Sequence, residues 1–147
     1  NNLLFLSNVI TNGSGFDVPD VGFREARKMY DDGVDIIFAV AGLSGNGVID
    51  GARKAGKYVI GVDADQDHMA EGYVLTSVMK RLDKATIDLF DRIYKGEKIS
   101  GTFTYGLKEG GISLTPMTYT KDKIPPEVLD KLAELKAQLI RQEENGP

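Results

Sequence analysis

Along the chain, short apolar runs alternate with longer amphipathic stretches. Compact runs rich in β-branched and aromatic residues predict strands at about 3–10, 34–40, 58–62 and 73–76. Apolar positions that recur with the period of an α-helix predict helices at about 19–32, 45–56, 77–95 and 125–143. Two short extended pieces are predicted at about 102–105 and 112–116. Strands that alternate with helices predict a single α/β lobe, residues 1–147, with a parallel sheet.

The start of the chain predicts an incomplete sheet. In a doubly wound sheet of flavodoxin-like order the first strand lies at the centre. The strand at about 3–10 resembles the second strand of such a unit, so we expect the first βα unit to be missing. The gap between this strand and that at 34–40 would leave costly unpaired backbone groups. We expect another chain, a second copy that exchanges elements, or the remainder of a longer protein to fill it.

The stretch from 34 to 51 predicts a ligand site. A buried apolar run breaks into a cluster that contains Gly42, Gly45 and Gly47, and then continues as a helix. Free N–H groups and the positive end of the helix dipole point out of such a junction, and glycine lets a ligand approach the backbone closely. The next strand ends at Asp63. Its carboxylate is therefore expected beside the glycine loop, at the carboxyl edge where open α/β sheets bind small molecules.

Composition narrows the class of protein. The 147 residues suit one domain with a sizeable core, and a net charge of −4 without a basic stripe argues against nucleic acid as a partner. The absence of cysteine excludes disulfides, thiolate metal sites and a cysteine nucleophile. The sequence shows no signal peptide and no membrane-spanning run, so the signal of an exported protein would precede Asn1. No catalytic residues, metal site or cofactor are predicted.

Ordered motifs give the chain a family resemblance. They lie at 16–22, 42–51, 61–66, 74–81 and 105–111. As a set, they resemble the basic membrane protein family of ABC-transporter substrate-binding lipoproteins, whose characterised members bind purine nucleosides. Proteins of this family have two α/β lobes that close on the ligand. This sequence resembles the C-terminal lobe, without that lobe's own first strand and helix.

The resemblance implies roles for individual residues. Asp63 would accept hydrogen bonds from ribose hydroxyls, and Lys80 would donate to the same sugar. Phe16 would pack on the ligand, and Gly42 and Gly45 would line the floor of the site. The charged pair also makes chemical sense without the family, because a carboxylate accepts both hydroxyls of a sugar diol and a nearby ammonium keeps it ionised.

The resemblance also implies partners and a location. The facing wall of the site would belong to a second lobe, or to another chain that completes the sheet and the site. An ABC permease would recognise the closed state, and capture by closure needs no chemistry. The full-length protein would be an extracytoplasmic lipoprotein anchored to the cell membrane.

Other interpretations of the same residues stay open. The glycines at 45–51 after one strand, with Asp63 ending the next, also fit a dinucleotide pattern, which would indicate a fragment of a nucleotide-dependent oxidoreductase. The glycines would alternatively serve close packing alone. The effector lobe of a ligand-responsive regulator shares the architecture. Phe16 suits either the core or a ligand contact, and Lys80 is predicted early in a helix, where a cation opposes the dipole.

Overall fold

The helices and strands are described by a computed structural model for residues 15–145, apart from the side chain of Asn145. The helices are α1 (Pro19–Asp31), α2 (Ser44–Ala55), α3 (Leu82–Tyr94) and α4 (Pro126–Asn145). The strands are β1 (Ile36–Phe38), β2 (Tyr58–Asp63), β3 (Val74–Lys80) and β4 (Ile112–Leu114). The strand predicted at 3–10, and the gap expected beside it, lie outside the described residues.

The strands form one sheet in the order β1-β2-β3-β4. β1, β2 and β3 run parallel, and β4 pairs antiparallel with β3. The α/β class and the mainly parallel sheet predicted from the sequence are therefore confirmed. Because β1, β2 and β3 are parallel, the loops that follow them share one edge of the sheet.

Local signals set the ends of α1 and α2. Pro19 occupies the first position of α1, where its missing N–H costs nothing. Gly33 follows α1 and Gly56 follows α2, with φ values of 97° and 66°. Glycine adopts these left-handed conformations without strain, so the chain leaves each helix and turns back towards a strand. The observed bounds accordingly lie close to those expected from the sequence.

The boundary between β3 and α3 differs from the sequence prediction. A strand at 73–76 and a helix from 77 are predicted, but the strand continues to Lys80 and the helix begins at Leu82. Val78 fits the apolar pattern of a strand as well as that of a helix. Hydrogen bonding between strands favours the strand, because the end of β3 pairs with β2 on one side and with β4 on the other. The interpretation that Lys80 lies in a helix and opposes its dipole is therefore wrong.

Two other extended segments are shorter than expected. β1 covers only the middle of 34–40, because beyond Phe38 the Val40 N–H turns back to the Phe38 carbonyl oxygen. Residues 102–105 form no strand; instead the Tyr105 hydroxyl donates a 2.7 Å hydrogen bond to Asp88 of α3.

Within residues 15–145, no helix combines the length and the apolar character that a bilayer crossing requires.

The core lies between the pair α1–α2 and one face of the sheet. Its buried residues are Ala26, Tyr30, Ile37, Ala39, Val48, Ile49, Ala52, Val59, Ala70 and Val74. Burial raises the pKa of the Tyr30 hydroxyl, which donates a 2.7 Å hydrogen bond to the Tyr58 carbonyl oxygen. This bond ties α1 to the start of β2.

Glycine allows the backbones of α1 and α2 to touch. A Cβ on Gly22 would overlap the Ser44 carbonyl oxygen, and one on Gly47 would overlap the Pro19 carbonyl oxygen. A Cβ on Gly47 would also lie 2.7 Å from the backbone nitrogen of Phe23. Backbone atoms cannot move aside as a flexible side chain does, so both positions require glycine for space.

Gly47→Ala is expected to lower the free energy of unfolding by about 2–3 kcal/mol, because the added methyl group forces the two helices apart. Gly45→Ala, in the same helix, is the matched control. A Cβ there would meet the Ala39 carbonyl oxygen at an ordinary 3.5 Å. We expect this control to be neutral or stabilising by about 0.5–1 kcal/mol. Urea unfolding followed by circular dichroism measures both, and equal stabilities would contradict the packing role of Gly47.

Candidate functional site

The residues predicted to bind a ligand come from the carboxyl ends of the parallel strands and the segments beside them. β2 ends at Asp63 and β3 ends at Lys80. The loop after β1 contains Gly42, and α2 begins directly after it at Ser44. The first turn of α2 therefore belongs to the same edge of the sheet as the two charged side chains. The expectation that its N–H groups are free is wrong for Ser44, Gly45 and Asn46, whose N–H groups donate to the carbonyl oxygens of Phe16, Gly42 and Leu43.

Asp63 and Lys80 form an ion pair at this edge. Lys80 Nζ lies 2.7 Å from Asp63 Oδ1, and the two side chains remain 70% (Lys80) and 51% (Asp63) exposed. An ion pair this exposed contributes only about 0–1 kcal/mol to stability, since water competes for both groups. The fold therefore depends little on the pair, and its charged atoms are accessible to a ligand.

The backbone at Asp63 is strained. Its φ is +70°, a left-handed value that residues with a side chain rarely adopt. The Ala64 N–H donates a 2.8 Å hydrogen bond to the Val62 carbonyl oxygen, which closes a γ-turn around Asp63. Strain of this kind costs about 1–3 kcal/mol and is concentrated at functional sites. The turn directs the Asp63 carboxylate towards Lys80 as the strand ends.

Phe16 lies against Gly42. Gly42 has a φ of +55°, and a Cβ on it would lie 2.8 Å from the Phe16 carbonyl oxygen and 3.4 Å from Cδ1 of the ring. The Phe16 carbonyl oxygen accepts a 3.2 Å hydrogen bond from the Ser44 N–H. Phe16 is 70% exposed, so it is not a core residue. The interpretation of Phe16 as a core residue is therefore wrong, and its contact with a ligand stays a prediction.

The glycines near the start of α2 have different structural causes. Gly47 and Gly51 face α1, where a Cβ on Gly51 would lie 3.0 Å from Cβ of Ala26. Gly45 has only ordinary neighbours, and Gly42 combines a positive φ with the contact to Phe16. Helix packing thus accounts for two glycines of the dinucleotide pattern. Gly42 lies in the loop before α2, and Gly45 is a buried residue in the first turn of that helix.

Side chains that the sequence prediction did not assign connect these parts. The Ser44 hydroxyl accepts from the Val18 N–H at 3.0 Å and donates to the Gly15 carbonyl oxygen at 2.6 Å, which holds the Phe16 loop against α2. Gln66 Nε2 lies 3.5 Å from Asn46 Oδ1 and so links the segment after β2 to the first turn of α2. The sequence pointed to this contact only in that Gln66 is the last residue of the family motif at 61–66.

The two predicted clusters are thus a charged pair, Asp63 and Lys80, and an aromatic contact, Phe16 on Gly42. The contact of Asn46 with Gln66 lies between α2 and the segment after β2.

The segment after Asp63 is acidic, and the negative charge of Glu71 raises the pKa of Tyr119. Among residues 15–145, no three His, Asp or Glu side chains are grouped closely enough to hold a metal ion.

Comparisons of the chain with a family model and with individual proteins agree on one family. The family model for PnrA-like ABC transporter substrate-binding proteins matches residues 11–145. Basic membrane protein D of Borreliella burgdorferi (strain JD1) is 44% identical over 98 residues, which cover 64% of this chain and 29% of that protein. Basic membrane protein A of Borreliella afzelii is 36% identical over 128 residues, which cover 84% of this chain and 38% of that protein. The chain spans about a third of the length of these curated relatives.

A solved structure has the same fold. An ABC transporter system solute-binding protein from Aeropyrum pernix K1 superposes with a TM-score of 0.76 at 25% sequence identity. The match covers 88% of this chain and 44% of that chain. The α/β lobe described above is therefore an architecture that occurs within solute-binding proteins.

Substitutions at Asp63 test the backbone strain. Asp63→Gly and Asp63→Ala both remove the carboxylate, so the difference between them isolates the φ of +70°. We expect the glycine variant to be more stable by about 1 kcal/mol, since glycine has no Cβ penalty there. Asp65, which has no positive φ, provides the control pair, and there alanine should be the more stable replacement. Urea unfolding measures all four variants, and a more stable Asp63→Ala would contradict the strain.

Proposed function

Because the chain belongs to the family of PnrA-like ABC transporter substrate-binding proteins, we propose that it forms part of the solute receptor of an ABC importer and binds a purine nucleoside through its ribose. The observation that carries the proposal is the exposed pair of Asp63 and Lys80, whose charged atoms lie 2.7 Å apart at the carboxyl edge of the sheet. The protein works by binding, and the proposal includes no catalytic step and no cofactor.

The chemistry of the pair suits a sugar diol. A carboxylate has two oxygens that accept hydrogen bonds, and neighbouring ribose hydroxyls supply two donors at a matching spacing. The Lys80 ammonium donates hydrogen bonds, so it can bind a sugar oxygen while it keeps Asp63 ionised. Opening an exposed ion pair to admit the diol costs little, because such a pair is worth only about 0–1 kcal/mol.

The aromatic contact suits a base. Phe16 is anchored through its backbone to Ser44 and lies on Gly42, while the residue as a whole is 70% exposed. Stacking of a nucleobase on such a ring contributes about 1–3 kcal/mol in nucleic-acid complexes and tolerates different bases. Under this proposal, Gly42 and Gly45 leave the floor of the site free of side chains.

The proposal places the remaining contacts on further protein. β1 is the edge strand of the described sheet, and apolar side chains on it and just after it are exposed: Ile36, Phe38, Val40 and Leu43. These side chains support a partner that completes the sheet and the site, either a second lobe or another chain. In the full-length receptor, we place the protein outside the cytoplasm as a membrane-anchored lipoprotein, where closure on the nucleoside presents it to an ABC permease.

No observation favours the alternative functions. The dinucleotide pattern loses much of its support because Gly47 and Gly51 are explained by contacts with α1. The regulator interpretation depends on shared architecture alone, and architecture does not determine function. The importer receptor is therefore the single function proposed.

Isothermal titration calorimetry with guanosine, adenosine, inosine, ribose and NAD tests the proposal. We expect saturable binding of nucleosides and a loss of about 10–100-fold in affinity for Asp63→Ala, because a charged acceptor of hydrogen bonds is removed. Asp35→Ala is the matched control. Asp35 forms a similar exposed ion pair with Lys57, at the amino ends of β1 and β2, and its removal should leave nucleoside affinity unchanged.

Two results would contradict the proposal. Binding of NAD without any affinity for free nucleosides would favour the oxidoreductase. Equal losses for Asp63→Ala and Asp35→Ala would show that the carboxyl edge has no special role.

A further inference from the structure

The side chain of Gln66 folds back over the strained turn that contains Asp63. Its Oε1 accepts a 2.9 Å hydrogen bond from the Val62 N–H, on the other side of the turn. The backbone N–H of Gln66 donates at 3.1 Å to Oγ of Ser77 in β3. One residue therefore binds the start of the turn through its side chain and anchors the end of the turn through its backbone.

Gly61 provides the space for this side chain. A Cβ on Gly61 would lie 2.7 Å from Gln66 Oε1 and 2.8 Å from Ser77 Oγ. The φ of Gly61 is not in the left-handed region, so conformation does not require glycine here and space does. Any larger residue would displace the amide group from Val62.

The anchor in β3 is buried. Ser77 has no exposed surface, and its hydroxyl donates a 2.8 Å hydrogen bond to Oδ1 of Asp67, which is also buried. The Ser77 N–H donates at 2.9 Å to Oγ1 of Thr115, the residue after β4. The end of the turn is thus connected to the same strand that ends at Lys80.

We propose that Gln66 is a positioning residue for ligand binding: it holds Asp63 in its left-handed conformation, with the carboxylate beside Lys80. The inference rests on the function proposed above and assigns a residue that does not itself contact the sugar. Backbone strain persists only where surrounding bonds over-determine it. Without the Gln66 amide, the Val62 N–H loses its acceptor, Asp63 relaxes to a negative φ, and the carboxylate moves away from Lys80.

Nuclear magnetic resonance of the ligand-free chain tests the turn directly. For Gln66→Met, of similar size but without the amide, we expect faster hydrogen exchange at the Val62 N–H. We also expect a change in the one-bond Cα–Hα coupling of Asp63, which distinguishes positive from negative φ. The control is Gln138→Met on an exposed position of α4, which should change neither signal. An unchanged Asp63 coupling in folded Gln66→Met would overturn the proposal.

Gln66→Glu keeps the proposal testable if the methionine variant does not fold. Glutamate retains an oxygen acceptor for the Val62 N–H and loses the amide donor near Asn46. Measured in high salt, which screens the added charge, this variant should preserve the Asp63 coupling and the protection of Val62. Loss of both in a folded Gln66→Glu would overturn the role assigned to the acceptor.

Guanosine binding then separates positioning from general stability. Gln66→Met should weaken binding about as much as Asp63→Ala, by tenfold or more, and the double variant should be no weaker than either one. Additive losses would overturn the proposal, because independent roles add. If the unsubstituted chain binds no nucleoside, the proposed function fails, and the coupling measurement alone decides whether Gln66 holds the turn.

Discussion

The close approach of α1 to α2 is the contact on which the rest of the structure depends. Gly22 and Gly47 remove the side chains that would otherwise separate the two backbones. This contact covers one face of β1 and β2 with a core of mainly small and branched residues. It also brings the amino end of α1 against the first turn of α2, where Ser44 bonds to the loop that carries Phe16. The aromatic half of the candidate site is therefore a consequence of helix packing.

The charged half of the site has a separate origin in the sheet. Parallel pairing of β2 with β3 brings Asp63 opposite Met79, one residue before Lys80, so two oppositely charged side chains reach the same edge. The strained turn then sets the direction of the carboxylate. The contact of Gln66 with Asn46 connects this half to α2. Helix packing thus positions the aromatic side chain, and the strained turn positions the charged pair, at the same edge of the sheet.

The sequence predicted best what local chemistry determines. Pro19 at the start of α1 and the glycines after α1 and α2 act within a few residues, and the predicted ends of those helices are close to the observed ones. The end of β3 depends on β4, which lies more than thirty residues further along the chain, and helical periodicity at Val78 concealed that pairing. The sequence also could not show that Gly47 is required for helix packing whereas Gly42 is required for a turn.

The candidate site shows the same division. Asp63 and Lys80 could be placed at a common edge from strand order and family resemblance. The left-handed φ of Asp63 has only a weak sequence signal, since aspartate tolerates that conformation but glycine is its usual marker. The bonds of Gln66 reach Val62, Asn46 and Ser77, which lie in three different elements. Such a network becomes visible only when those elements are packed together.

Exposure of the site groups gives closure a physical role in the proposed receptor. On this lobe alone, water competes for Asp63, Lys80 and the Phe16 ring, so each contact with a ligand is weaker than the same contact with water excluded. A facing surface that excludes water would lower the local dielectric and strengthen the same charge-assisted hydrogen bonds. The ligand would then gain most of its binding free energy only in the closed state. That difference in affinity between open and closed states is what allows a ligand to shift the equilibrium towards closure.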